Sequence, residues 1–292
     1  MITLNNSGKK KRLKQNIMFW AFRLLSFSVV AVLFVILAFI FIKGIEVISW
    51  DFITKSPTEG MTSGGIYPAI IGTLCLVAGS MVFAFPVGVL AGIYNHEYAT
   101  YKPLKNFIRI MTNNLAGIPS IVFGLFGMAL FVNQLHFGDS IIAGSLTLGL
   151  LVLPVVIRTT EESLAAVDNT FRHASLALGA TKWQTTSRVV FPIAFPNVLT
   201  GMILSIGRVS GETAPILFTV AAYFLPKLPS GIFDQVMALP YHLYVLATSG
   251  TDIETARPIA YGTALVLIAI VLIMNILANV FRNYFGKKFK VK

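Results

Sequence analysis

Charge-free apolar runs recur along the chain at Leu24–Ile42, Gly60–Asn95, Ile110–Gly138, Ser140–Ile157 and Pro258–Phe281. A further run, Val189–Pro226, is interrupted by Arg208 and Glu212. A helix rises about 1.5 Å per residue and bilayer hydrocarbon is about 30 Å thick, so roughly 20 apolar residues cross it. Each run therefore predicts one helix, the second near 68–94 and the fifth over Gly201–Ala222. The runs do not alternate apolar and polar positions at period two, so spanning strands are not expected. The reading is an all-α membrane protein with six transmembrane helices.

Between the runs, residues 1–15 are polar and basic and are expected to be disordered. Residues 43–66 form a first outer loop of turn-forming and amphipathic character around Trp50, Pro57 and Gly60. A second outer loop, about 223–257, is broken by Pro226, Pro229 and Gly231. An amphipathic helix is then predicted over Phe233–Ala247, followed by Asp252 and Glu254. The second and third runs are rich in Gly and Pro, including Gly79, Pro86, Gly88, Gly92, Gly117 and Pro119. Small residues let membrane helices approach closely, and proline loosens the backbone for bending. Three regions follow: 1–65, with a basic tail, the first helix and an outer loop; 66–281, the membrane core; and 282–292, a second basic tail.

Composition agrees with a membrane protein. The chain of 292 residues is 55% apolar and 12% charged, against roughly 25% charged in soluble domains. Eighteen of the 23 Lys and Arg fall on segments that lie inside if the N-terminus is inside. That bias places both termini of a multi-pass protein in the cytoplasm, and the membrane is expected to be the cytoplasmic (inner) one. The net charge of +11 is read as orienting the helices and meeting anionic membrane lipid, with no nucleic acid as partner. The apolar run after the basic start has no small-x-small cleavage site at Ile42-Lys43-Gly44, so it is read as a retained helix. Cys75 is the single cysteine and can form neither an intramolecular disulfide nor a cysteine metal cluster.

The forty-residue inner segment Arg158–Asn197 is largely polar yet patterned for structure. Thr160–Val167 and Thr170–Leu178 read as helices, the second capped at Asn169 or Thr170. Gly179 suits the left-handed residue that ends a helix, and Lys182–Val190 restarts one ahead of Pro192 and Pro196. Two short helices hinged at a glycine would present Ala174, Leu176, Ala177 and Leu178 near Trp183, an apolar knob fit for a groove on a soluble partner. His173-Ala174-Ser175, three residues, Gly179, nine residues, then Val189-x-Phe191-Pro192 resembles the EAA loop of ABC-importer permeases. His173 departs from it, standing where that family favours Glu. The resemblance implies that His173, Ala174, Ser175, Leu178, Gly179 and Trp183 couple to an ATPase.

Arg208 and Glu212 lie four apart at the predicted centre of the fifth span. A charge there costs roughly 2.5–3.5 kcal/mol on insertion scales. Four residues apart they share one helix face and partly neutralise each other. An Arg fork suits an oxyanion, and Glu212 could hold that fork or take a proton. Pro215 cannot donate to the carbonyl of Gly211, so Gly211 and Pro215 read as a hinge. A buried pair that only fixes helix packing remains the alternative.

Arg208, Gly211-Glu212-Thr213-Ala214-Pro215 and Ile216-Leu217-Phe218-Thr219 are similar to the PstA-type permease family of the phosphate ABC importer. So are Gly65–Ile70, Ala116–Ser120 and Arg158–Glu162. This resemblance implies a type I ABC importer permease (MetI-like) fold and a phosphate pathway through Arg208, Glu212 and Thr213. It further implies a homologous sister permease (PstC-like), two ATP-binding subunits (PstB-like) and an extracytoplasmic phosphate-binding protein (PstS-like). No G-x4-G-K-[ST] loop occurs, so ATP and Mg are expected on the partner ATPase and no cofactor on this chain. The four histidines, His96, His136, His173 and His242, lack metal-site spacing, and Ser120 and Ser210 lack an evident base. An intramembrane enzyme is therefore not the reading. A permease for another oxyanion, such as molybdate or sulfate, is the remaining alternative.

Overall fold

The computed structural model describes residues 6–248 and 253–288. Asp252 of the outer loop and Lys290 and Lys292 of the basic tail lie outside the described residues. The long helices are α1 (Asn6–Ile45), α3 (Tyr67–Ile93), α6 (Ile141–Ala165), α9 (Phe191–Gly211) and α12 (Ile253–Lys288). The short ones are α2 (Trp50–Thr54), α4 (Lys102–Ala116), α5 (Ser120–Gly127), α7 (Asn169–Ala177), α8 (Lys182–Thr185), α10 (Ala214–Leu217) and α11 (Leu239–Thr248). Five described helices are long and apolar enough to cross a membrane, six if the bent pair α4–α5 counts as one span. The end of the bundle that carries α7 is termed the inner end.

Several expectations change. From Asn6 onward the basic start is helical rather than disordered, because α1 already begins there, and residues 1–5 lie outside the described residues. The third run is not one straight helix: α4 and the segment Ser120–Gln134 meet at 103°. The bend falls at Gly117–Pro119, where Pro119 takes an extended ψ of 139°. α4 itself buries none of its residues. The outer helix runs over Leu239–Thr248 rather than Phe233–Ala247. In the first outer loop, Pro57–Thr58 and Ser63–Gly64 form a small antiparallel hairpin, β1 and β2, that the span pattern did not predict.

The core forms where α3 and α6 run side by side. A side chain at Gly79 would strike Ser145, one at Gly88 Val156, and one at Gly92 Thr160. Glycine along that seam lets the two backbones close up, as small residues do in membrane bundles. Leu76, Val77, Leu148, Leu151, Val152, Ile206, Val209 and Val220 fill the centre. α12 packs on α9, α11 and α1, with Phe39 edge-on to Tyr261 at 5.5 Å. None of the apolar window of α1 is buried by its own chain.

The segment after α9 folds back into the outer half of the bundle. Val220 packs against Gly144, Met237 against Gly72, and Pro215 and Phe218 against Gly124. The Leu239 amide donates to Thr73 Oγ1 at 2.8 Å, buried.

Candidate functional site: a docking knob and a charged helix end

The inner segment divides differently from the two-helix reading. Residues 160–165 continue α6, and only Asn169–Ala177 stands free as α7. Its cap is Asp168, one residue before the expected position, whose carboxylate accepts from the Thr170 amide at 2.8 Å and its hydroxyl at 2.7 Å. Those two bonds hold the Asp168 carboxyl below its ordinary pKa.

The far end of α7 follows the prediction. Gly179 has φ +81°. The Ala180 amide donates to Ser175 O at 3.3 Å and the Gly179 amide to Leu176 O at 3.0 Å. This is the paired six-to-one and five-to-two bonding of a Schellman end. Thr181 then opens α8 with a capping box to Gln184. The elbow is closed by Ser175 Oγ and Thr185 Oγ1 at 2.9 Å. Its tip is apolar and open: Leu178 is 89% exposed and Trp183 63%. His173 and Ala174 are exposed beside them.

From Lys182 the chain runs as one long helix to Gly211, not as a short helix followed by a span. Pro192 cannot donate backwards, and a π turn at Thr186–Val190 lies just before it, the kind of local defect that absorbs such a break. Thus one rod carries the knob at its foot and Arg208 in its last turn. The separation is about 39 Å at 1.5 Å per residue.

The charged pair sits at a helix end, not within an unbroken helix. α9 stops at Gly211, Glu212 is extended with ψ 126°, and a new short helix starts at Ala214. Pro215 is in the first turn of α10, where its missing N–H costs nothing, so it starts a helix rather than bending one. Thr213 caps α10 with no side-chain bond. Yet this end is deep. Glu212 lines the same small cavity as Thr73, Leu76 and Leu148, and Leu76 is about 14 Å along α3 from its outer end. α9 therefore ends within the bundle.

Arg208 Nε lies 3.4 Å from Glu212 Oε1, with the two side chains 38% and 19% exposed. The pair is loose, and a cation in the last turn also meets the negative end of the helix dipole. Asn197, Leu204, Arg208 and Gly211 are the exposed positions of α9. Their spacings of seven, four and three make one uncovered stripe.

Two further groups come together at the inner end. Arg158 Nε donates to Glu162 at 2.9 Å and its Nη1 to Asn113 at 3.2 Å, beside a cavity of about 530 Å³ also lined by Lys105, Arg109 and Glu161. Arg172 Nη2 lies 2.7 Å from Glu97 Oε1, and both side chains are largely buried. The sequence reading singled out neither Glu97 nor its pairing. The partners are 75 residues apart, and nothing local links them.

The comparisons place this architecture. The profile of the "Binding-protein-dependent transport system inner membrane component" family matches residues 84–291. The chain belongs to this family of ABC-transporter permeases. The permease is 35% identical over 270 residues to a Bacillus subtilis protein named "Probable ABC transporter permease protein YqgI", covering 88% of this chain and 91% of that one. It is 41% identical over 221 residues to the "Phosphate transport system permease protein PstA" of Mycobacterium leprae, covering 75% and 71%. With the Pasteurella multocida protein of that name it shares 36% over 242 residues, covering 82% and 84%. Among solved structures, an inward-facing form of the MetNI methionine ABC transporter superposes with a TM-score of 0.55 at 16% identity. That match covers 76% of this chain and 94% of that one, and it shows the fold, a MetI-like type I permease. The permease is thus an integral membrane transport subunit and not an enzyme, and it works in an ABC transporter with partner subunits.

Proposed function

We propose that this permease forms half of the membrane path of an importer for inorganic phosphate in the cytoplasmic membrane. Both termini would face the cytoplasm. The observation that carries the reading is Arg208, a guanidinium at a helix end deep in the bundle, on an otherwise uncovered stripe. A sister permease facing that stripe would close a path around it. Arg offers a planar fork to an oxyanion, and the loose, half-exposed pair with Glu212 leaves its other donors open. Loose attraction suits passage, since an ion held too tightly does not leave. Thr213, at the break, adds a hydroxyl free to turn toward the anion. The relatives named as phosphate permeases supply the choice of phosphate.

One of two ATP-binding subunits would grip the elbow through Leu178 and Trp183, the other serving the sister permease. ATP and Mg would be held there and not on this chain. A binding protein outside would deliver phosphate to the outer loops. Because one rod joins the elbow to Arg208, tilting its foot moves the guanidinium. The test is uptake of labelled phosphate, sulfate and molybdate by the reconstituted transporter with each candidate binding protein. Phosphate uptake abolished by Arg208→Gln supports the reading. Uptake of molybdate or sulfate alone replaces it with the other-oxyanion reading.

A further inference from the structure

We infer that Glu97 and Arg172 form the joint through which movement of the docking elbow reaches α3. The inference rests on the reading of α7–α8 as the ATPase-docking element. The elbow is covalently continuous with α6 through 166–168 and with α9 through α8. It has no covalent link to α3, whose inner end lies 75 residues away in sequence. Yet α3 and α6 form the tight glycine seam at the centre of the fold. If the elbow moved without α3, that seam would have to open.

The structure supplies the missing link on both sides of Gly179. α3 passes into a π turn over Tyr94–Tyr98. Glu97 from that turn takes Arg172 of α7, with Nη2 at 2.7 Å and Nε at 3.3 Å. Tyr98, next to it, lies under Lys182 of α8, 5.2 Å from the ring centre. Two adjacent residues of one turn thus hold both arms of the elbow. The same guanidinium donates from Nη1 to Val167 O and from Nη2 to Leu164 O, each at 2.8 Å, and from Nη1 to Asn169 Oδ1 at 3.2 Å. It therefore caps the end of α6 while it holds α3 and α7. His96 Nδ1 lies 3.0 Å from the same carboxylate oxygen. At 9% and 14% side-chain exposure, the pair is shielded from the solvent screening that makes surface pairs weak.

A charge swap would strip the caps from Leu164 and Val167, so the clean variants are at Glu97. In the complete transporter in proteoliposomes, Glu97→Ala should keep its ATPase bound, because Leu176, Leu178 and Trp183 are untouched. Anion moved per ATP hydrolysed should fall about tenfold, within the usual range of coupling between sites. Glu97→Gln, which preserves shape and an acceptor oxygen but not charge, should fall between Ala and wild type. An unchanged transport-to-hydrolysis ratio in Glu97→Ala overturns the joint. Loss of the ATPase from the Glu97→Ala complex overturns it too, by making the pair a docking element. Failure of both variants to accumulate would reduce the pair to a folding element and equally overturn it. The docking reading is tested separately by Leu178→Glu: an ATPase that stays bound to that variant sinks docking itself, whatever Glu97 does.

Discussion

At the scale of single residues, Arg208 and Glu212 are not equal partners. Arg208 would face the anion, and losing a charge-assisted bond of about 1.5–3 kcal/mol corresponds to roughly 10- to 150-fold in affinity. Arg208→Gln should therefore remove measurable uptake while the complex still assembles, as checked by co-purification beside labelled-phosphate uptake. Glu212 holds Arg208 across 3.4 Å and is itself partly exposed. Glu212→Gln should lower uptake by no more than about fivefold, the scale of a partly exposed pair. A loss as large as that of Arg208→Gln would give Glu212 a direct part in transport. The sequence made both residues visible, because charge inside an apolar run is costly and stands out. It did not reveal Glu97 and Arg172. Charges at the edge of a span look like ordinary interface residues, and only the fold brings these two together.

At the scale of elements, the elbow at Gly179 was legible and its surroundings were not. A glycine before a capping threonine is a local signal, and the local bonds obey it. Gly179→Val puts a branched side chain at φ +81°, at a cost of about 1–3 kcal/mol, although no neighbour within 4 Å would be struck. The elbow should open and the bound ATPase should lose its stimulation by substrate. Normal stimulation would mean that the elbow tolerates the strain. At the other end of α7, the Asp168 cap has its pKa lowered by the bonds from Thr170. A lowered folded pKa gives stability that is present above the ordinary value of 3.8 and lost as pH falls through the folded value. ATPase docking should thus be insensitive to pH above 3.8 as far as this cap is concerned, and Asp168→Asn should blunt any loss below it. The bends were less legible. Apolar periodicity locates a span but does not say whether Pro119 breaks a helix or Pro215 begins one. That choice depends on the depth at which neighbours such as Gly124 accept the returning chain.

At the scale of the whole molecule, six apolar runs were enough to place it among helical membrane proteins, because hydrocarbon thickness dictates their length. Where the fifth span ended was a tertiary matter. Val209 and Ile216 both enter the core, so the chain can leave the helix at Glu212 without losing burial. The orientation expected from Lys and Arg has a direct check. Cys75 is half-buried in α3, so a single added cysteine at an exposed site reports cleanly. Lys227→Cys should react with an impermeant reagent from outside intact cells. Lys287→Cys should react only after the membrane is opened. The reverse pattern would invert the whole topology and, with it, the side on which the elbow works.

The first helix carries one more consequence. It gives nearly its whole greasy surface to something other than its own chain. A copy synthesised without neighbours keeps that flank bare to lipid and is held to its own chain on one side only, along α12 around Tyr261 and Leu265. Lipid tails are as apolar as leucine, so that flank can rest in the bilayer or take a partner's helix at little cost, and any helix that docks there must be held by close packing rather than by escape from water.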